Sequence, residues 1–258
     1  MAAVPPISAV IIVRDAARSI AGTLASLAAF PEVVLYDNGS IDRTLDIARE
    51  FPNVVIHTGG FHGFGPTKQL AVSLAAHDWV LALDADEVVS EELRASIFAA
   101  VLDDGRTTYA VRRVNHFMGR AVRHSGWDDD WLLRLFNRRH TGYDDARVHE
   151  KVRPVPGGTT VRLRGSLHHQ AVAELGDFLV KVNRYSEIRR GDAPRSRSAA
   201  AIVLRAAWAF FRTLVLRRGF LDGWRGVVIA VSDANGVFFK LMKPYADERV
   251  RHEERGGP

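Results

Sequence analysis

Trp79-Val-Leu-Ala-Leu-Asp84-Ala-Asp86-Glu87 passes from an apolar run to three carboxylates within four residues. The run reads as a central strand buried on both faces. Unpaired acids are too costly to bury inside such a strand. They therefore fall just past its C-terminal end, where open α/β sheets bind their ligands. Two Asp separated by one residue suit a hard divalent cation that takes oxygen ligands and shares them with substrate phosphates. The competing reading is a plain strand-to-loop junction, with Glu87 either supporting the acids from behind or simply solvated.

Upstream of this stretch, strands and helices alternate. Ile7 to Val13, Val33 to Tyr36 and Val54 to Ile56 are β-branched runs that read as strands. Helical spacing follows each: Ile20 to Phe30 with Ser19 as N-cap, a helix to about Glu50 capped by Asp42, and Pro66 to Ala75 with Pro66 in its first turn. A fourth helix is expected over Ser90 to Leu102. Such alternation predicts an α/β fold with a doubly wound, mostly parallel sheet and right-handed crossovers. Asp15, Asp37 and Asp84 each follow a strand, so one sheet edge gathers all three. The expected division is a nucleotide-binding domain over residues 1–150 and a helical, basic region over 151–258.

The 258 residues include no cysteine, which excludes a disulfide scaffold and a thiolate zinc site. The formal charge of +5 favours anionic partners. Met-Ala-Ala-Val-Pro-Pro lacks a basic region and a long apolar core, so no signal peptide is expected. No apolar stretch reaches the roughly 18 uninterrupted residues of a membrane span.

Three segments together resemble a family 2 glycosyltransferase of the GT-A fold. They are Ser8-Ala-Val-Ile-Ile-Val-Arg-Asp15, Tyr36-Asp37-Asn38-Gly39-Ser40-Ile-Asp42-Arg-Thr44, and Leu83-Asp84-Ala-Asp86-Glu87. The second matches the family's D-x-G/S-S-x-D-x-T pattern and the third its D-x-D motif. Leu133-Arg134-Leu135-Phe136, Val148-His149-Glu150, Lys181-Val-Asn-Arg-Tyr185 and Arg218-Gly-Phe-Leu-Asp222-Gly223 resemble the bacterial branch that builds lipopolysaccharide core, which includes β-1,4-glucosyltransferases. One departure is Val13-Arg14-Asp15, where family members often carry Thr-x-Asn, so a Thr that touches the base is missing.

The resemblance implies an inverting hexosyltransferase that uses Mg²⁺ or Mn²⁺ and a nucleotide-sugar, with a UDP-hexose favoured. A glycolipid, lipopolysaccharide-core or polysaccharide is the implied acceptor. It implies that Asp37 takes a hydrogen bond from the uracil imide; an Asx-turn is the alternative. Asp86 is the direct metal contact, with Asp84 nearer the ribose or reaching the metal through water. Gly59-Gly60-Phe61-His62-Gly63-Phe64-Gly65 lets backbone approach phosphates, and Lys68 one turn beyond can reach the diphosphate. His149 is the candidate second metal or phosphate contact and Glu150 the candidate base. Asp128, Asp129 and Asp130, beside Trp127 and Trp131, form a rival base cluster or a solvated loop with buried Trp anchors. Arg134 can pair with a phosphate bidentately, or with the acidic loop. His168 and His169 read as structural or acceptor-lining.

From Arg195 to Arg225 there are seven Arg and one acid, Asp222, interleaved with apolar and aromatic residues. The stretch is too apolar to have only one packed face, so helices that both pack on the sheet and lie on an anionic membrane surface are expected, and such helices also often mediate a homodimer. No nucleic-acid motif accompanies the charge, so no nucleic-acid partner is expected. The implied location is cytoplasmic, on the inner face of the bacterial cytoplasmic membrane. A nucleotidyltransferase and a non-catalytic membrane or polysaccharide-binding module with the same fold are the alternatives. The first usually needs a glycine-rich loop after strand one, where this chain has Val13-Arg14-Asp15-Ala16-Ala17.

Overall fold

A computed structural model describes residues 4–128, 130–146, 150–188 and 198–256. The chain forms two compact units, residues 1–114 with 129–170, and residues 115–128 with 171–258. The chain crosses between them at three points, so no single cut, such as one at residue 150, separates them.

The first unit is built on β1 (Ile7–Val13), β2 (Glu32–Asp37), β3 (Val54–Thr58) and β4 (Trp79–Asp84), all parallel in the order β3-β2-β1-β4. Alternate residues of β1 enter two cores, which is why the run is apolar throughout. Ile7, Ala9, Ile11 and Val13 pack with Ile20, Leu24, Leu93 and Ile97 from α1 (Ile20–Ser26) and α4 (Glu91–Phe98). Val10, with Val34, Val80 and Ala82, packs against Ala71 and Val72 of α3 (Phe64–Ser73). α2 (Thr44–Ala48) is a short helix after β2.

Beyond β4 the sheet turns antiparallel, which the alternation did not predict. β8 (Asp130–Asn137) pairs antiparallel with both β4 and β6 (Thr108–Phe117), and β5 (Glu87–Val89) pairs antiparallel with β9 (Thr160–Val172). The full order is β3-β2-β1-β4-β8-β6-β9-β5, with β7 (Arg120–Ala121) on β6. These long-range partners are set by register, which no local periodicity encodes.

Local capping differs in places from expectation. Ser19 accepts no cap hydrogen bond; its hydroxyl donates to Ala16 O at 3.3 Å instead. Ser90 does cap α4, accepting from Leu93 N at 3.2 Å. Gly65 has a packing reason: a Cβ there would lie 2.1 Å from Asp144 O.

The second unit holds α5 (Leu175–Ile188), α6 (Ala199–Phe211) and α7 (Trp224–Arg255). Its core is Phe117, Val122, Val172 and Ile229, with Phe178 and Trp224 edge-on to Phe117. The Arg218–Gly223 motif is a structural turn between α6 and α7. Asp222 accepts from Arg123 N, His124 N and Ser125 Oγ at 3.0–3.1 Å, and a Cβ on Gly226 would lie 1.8 Å from Gly219 O. Ala199–Leu216, although interrupted by Arg205 and Arg212, is by length and composition apolar enough to cross a membrane.

Candidate functional site at the C-terminal strand ends

Strand register places the acids. Asp37 lies opposite Val13 and Asp84 opposite Ile12, so both stand at C-terminal strand ends on either side of β1. Asp15 follows β1 in the left-handed region (φ 50°).

The D-x-G-S-x-D-x-T segment acts first as a stitch. Asp37 is buried and its carboxylate accepts from Gly39 N and Ser40 N at 3.1–3.2 Å, the Asx-turn reading. Ser40 Oγ accepts from Asp15 N, and Asp15 Oδ1 accepts from Ile41 N. Asp42 accepts from Ala17 N and from Thr44 N, and its pKa is lowered, chiefly by the Thr44 hydroxyl. Thr44 Oγ1 accepts in turn from Ala16 N. Ser40, Asp42 and Thr44 thus fasten the loop after β2 to the loop after β1, while Asp37 closes its own turn.

The acidic turn after β4 is held from beneath. Glu87 is fully buried, not solvated, and its Oε2 accepts from Asp84 N at 2.9 Å, closing the turn. Thr23 Oγ1 donates to Ala85 O at 3.0 Å. Arg134 is buried against Glu87 (2.7 and 2.9 Å) and Asp84 Oδ2 (2.8 Å), with Arg113 3.6 Å from Glu87. In this geometry Arg134 braces the turn rather than opening to a phosphate. Burial would depress its pKa, but Glu87 and Asp84 hold it well above the arginine value.

Lys68, from α3, donates to Asp84 Oδ1 at 2.6 Å and to Glu150 Oε1 at 2.7 Å. Burial works against its charge, yet Asp84, Tyr143 and Glu150 outweigh burial and Arg134, raising its pKa. Burial likewise raises Asp84, but Lys68 and Arg134 hold it well below the carboxylate range. Glu87 is pushed up, chiefly by burial and also by the neighbouring Asp84 charge, against Arg134. Lys68 therefore joins the acidic turn to Glu150.

Asp86 stands apart from this network, its side chain about a third exposed, with His169 Nε2 3.3 Å from Oδ2. β9 carries His169 opposite Glu87, and Gln170 N donates to Asp86 O at 3.1 Å. A carboxylate and an imidazole on one edge are donors that Mn²⁺ accepts, with phosphate oxygens left to complete its shell. Among the described residues no group of three or more His, Asp or Glu side chains that could hold a metal ion is assembled. His169, read from sequence as structural or acceptor-lining, stands beside Asp86 because β9 pairs with β5, a long-range contact that local sequence does not show.

Other candidates fall elsewhere. His149 and Asp129 lie outside the described residues. Asp128 is exposed and belongs to the second unit. Asp130 is a strand residue paired with Arg113 at 2.7 Å, and Trp131 lies under the Arg162 guanidinium at 4.6 Å, while Trp127 packs in the second unit's core. The acidic-aromatic stretch is thus divided between both units. In the glycine-rich loop Gly65 N donates to Ala146 O and Tyr36 Oη to Gly60 O, so part of its glycine content serves close packing.

Comparison with known proteins fits this geometry. The chain matches Glycosyl transferase family 2 over residues 8–168. It is 27% identical over 225 residues to the uncharacterized glycosyltransferase RT0209 of Rickettsia typhi, covering 82% of this chain and 77% of the relative. It is 24% identical over 269 residues to the lipopolysaccharide core biosynthesis glycosyltransferase LpsC of Rhizobium meliloti, covering 96% and 98%. Among solved structures it is similar to the mannosyltransferase PcManGT of Pyrobaculum calidifontis in complex with GDP-Man and Mn²⁺. There the TM-score is 0.55 at 14% identity, over 95% of this chain and 88% of that one, a likeness of fold. The family match takes in β1, the stitched Asp37–Thr44 segment and the acidic turn; the chain belongs to glycosyl transferase family 2 and has the GT-A fold.

Proposed function

We propose that this family 2 transferase moves a hexose from a UDP-sugar to a glycolipid, lipopolysaccharide-core or polysaccharide acceptor, inverting the anomeric centre in one in-line displacement. One observation carries the reading. Lys68 joins Asp84 to Glu150 at the C-terminal end of β4, and two residues further on Asp86 is partly exposed with His169 beside it.

In this reading Asp86, with His169 beside it, holds the divalent cation, which when bound neutralises the leaving diphosphate. Asp84 is committed to Lys68 and Arg134, so it shapes the turn and meets the donor from there. Lys68 adds positive charge where the diphosphate lies. Glu150 gives one oxygen to Lys68 and keeps the other for the acceptor hydroxyl, whose proton it takes. Asp37, already turned onto its own backbone, presents its remaining acceptor capacity to the uracil N3–H. The similarity to LpsC supports a lipopolysaccharide-type acceptor, and a lipid-borne acceptor agrees with work at the inner face of the cytoplasmic membrane.

Calorimetric titration with UDP and with GDP, each with and without Mn²⁺, tests the donor. Metal-dependent binding of UDP in preference to GDP is expected. A preference for GDP changes the donor, and no nucleotide binding under any metal condition overturns the transferase chemistry in favour of a binding module.

A further inference from the structure

The second unit carries an apolar surface that sugar transfer does not use. α6 is apolar on two sides. Ile202 and Ala209 are buried, whereas Leu204, Trp208, Phe211 and Val215 are 70%, 56%, 45% and 42% exposed. Their spacing of four, three and four residues lines them along one helical stripe. The turn after α6 adds Leu216, Phe220 and Leu221, and α7 adds Trp224, Val227 and Val231, all exposed. So many exposed apolar side chains in one stretch of chain mark an interaction surface.

Charge decides the occupant. Arg205, Arg212, Arg217, Arg218 and Arg225 punctuate the same segment, and Arg205, Arg217 and Arg218 are exposed. Asp222, the one acid there, is turned inward onto Arg123 N, His124 N and Ser125 Oγ. The exposed surface is therefore apolar and of one sign. A twofold contact with a second copy would set arginine against arginine. An anionic lipid layer accepts both the rings and the guanidinium groups.

We propose that α6 and the α6–α7 turn insert shallowly into the headgroup region of an anionic bilayer. Trp208, Phe211, Phe220 and Leu221 enter the acyl boundary, and Arg205, Arg217 and Arg218 meet lipid phosphates. Although Ala199–Leu216, α6 with the turn that follows it, is long enough to span, it lies in the plane of the membrane: α6 packs along α7, and Arg205 and Arg212 interrupt the apolar stretch.

The test uses the full chain and sedimentation with vesicles of phosphatidylcholine alone or with added phosphatidylglycerol. Binding only to the anionic vesicles is expected. Phe220→Ser with Leu221→Ser should weaken it about hundredfold, and Arg205→Glu with Arg218→Glu by at least about tenfold. Should the turn variant fail to fold, Leu204→Ser with Trp208→Ser makes the same reading on α6. Absence of binding, or binding unchanged by these variants, overturns the proposal. So does a wild-type dimer that the apolar variants abolish, or retention in membranes through alkaline carbonate. The inference does not rest on the donor reading. UDP binding should survive in the surface variants and vesicle binding in Asp86→Ala, so either can fail alone.

Discussion

The two units place their costly residues in opposite ways. The first buries charge: Glu87, Arg134 and Lys68 lie inside the protein, each held by ion pairs or hydrogen bonds. The second exposes grease: Trp208, Leu221 and Trp224 face solvent, while Asp222, the one acid between Arg195 and Arg225, is turned inward. Buried ion pairs seldom add net stability over apolar packing, because desolvation consumes most of the attraction. Exposed apolar side chains contribute less than buried ones. The two departures from ordinary packing underlie the two proposals, a nucleotide-sugar site in one unit and a lipid-facing surface in the other.

The contrast can be broken most forcefully at Glu87. Glu87→Gln leaves Arg134 buried without its main counter-charge and should cost about 3–5 kcal/mol in denaturant unfolding. A cost under about 1 kcal/mol would mean that the pair is solvated and the first unit is not built on buried charge. Glu150→Gln should leave the fold standing and slow transfer by about 10²–10⁴, read in kcat; an unchanged kcat moves the base elsewhere. Gly65→Ala pushes a methyl into Asp144 O and should destabilise by about 1–3 kcal/mol in thermal unfolding.

pH sharpens the same contrast. The depressed pKa of Asp84 means that its ionised form stabilises the folded state. That contribution is complete above the unfolded value of about 3.9 and is lost as pH falls through the folded value. The gap in Tm between wild type and Asp84→Asn should therefore narrow below about pH 4. Glu87, raised by burial, titrates in the opposite sense, so the gap between the two proteins, not either Tm, isolates Asp84. A gap that stays constant contradicts the assignment. The smallest stability effect belongs to the second unit. Leu204→Ser with Trp208→Ser should change stability by within about 0.5 kcal/mol, since both side chains are exposed; a large loss would mean the stripe is packed.

The parallel half of the sheet was legible because its strands are mostly apolar, and three of the four, β1, β2 and β4, end at or just before an acid. Asp15, Asp37 and Asp84 could be set on one edge from that alone. The antiparallel half was not, since β4–β8 and β5–β9 join residues far apart in sequence. The same distance hid His169 beside Asp86 and Arg134 beneath Glu87. Of the two readings of Glu87, supporting the acids from behind or solvated, the structure shows the first, and the cation from β8 makes its burial tolerable. In the second unit the composition already called for more than one apolar face on α6, and Leu204 and Ile202 occupy two of them.

The most direct test is UDP titration in the presence of Mn²⁺ into wild type and Asp86→Ala, with thermal unfolding of both. Asp86 is partly exposed and outside the buried network, so the variant should unfold at the wild-type temperature and lose metal-dependent UDP binding. Undiminished UDP binding by a folded Asp86→Ala protein would contradict the assignment of the β4 edge as the donor site.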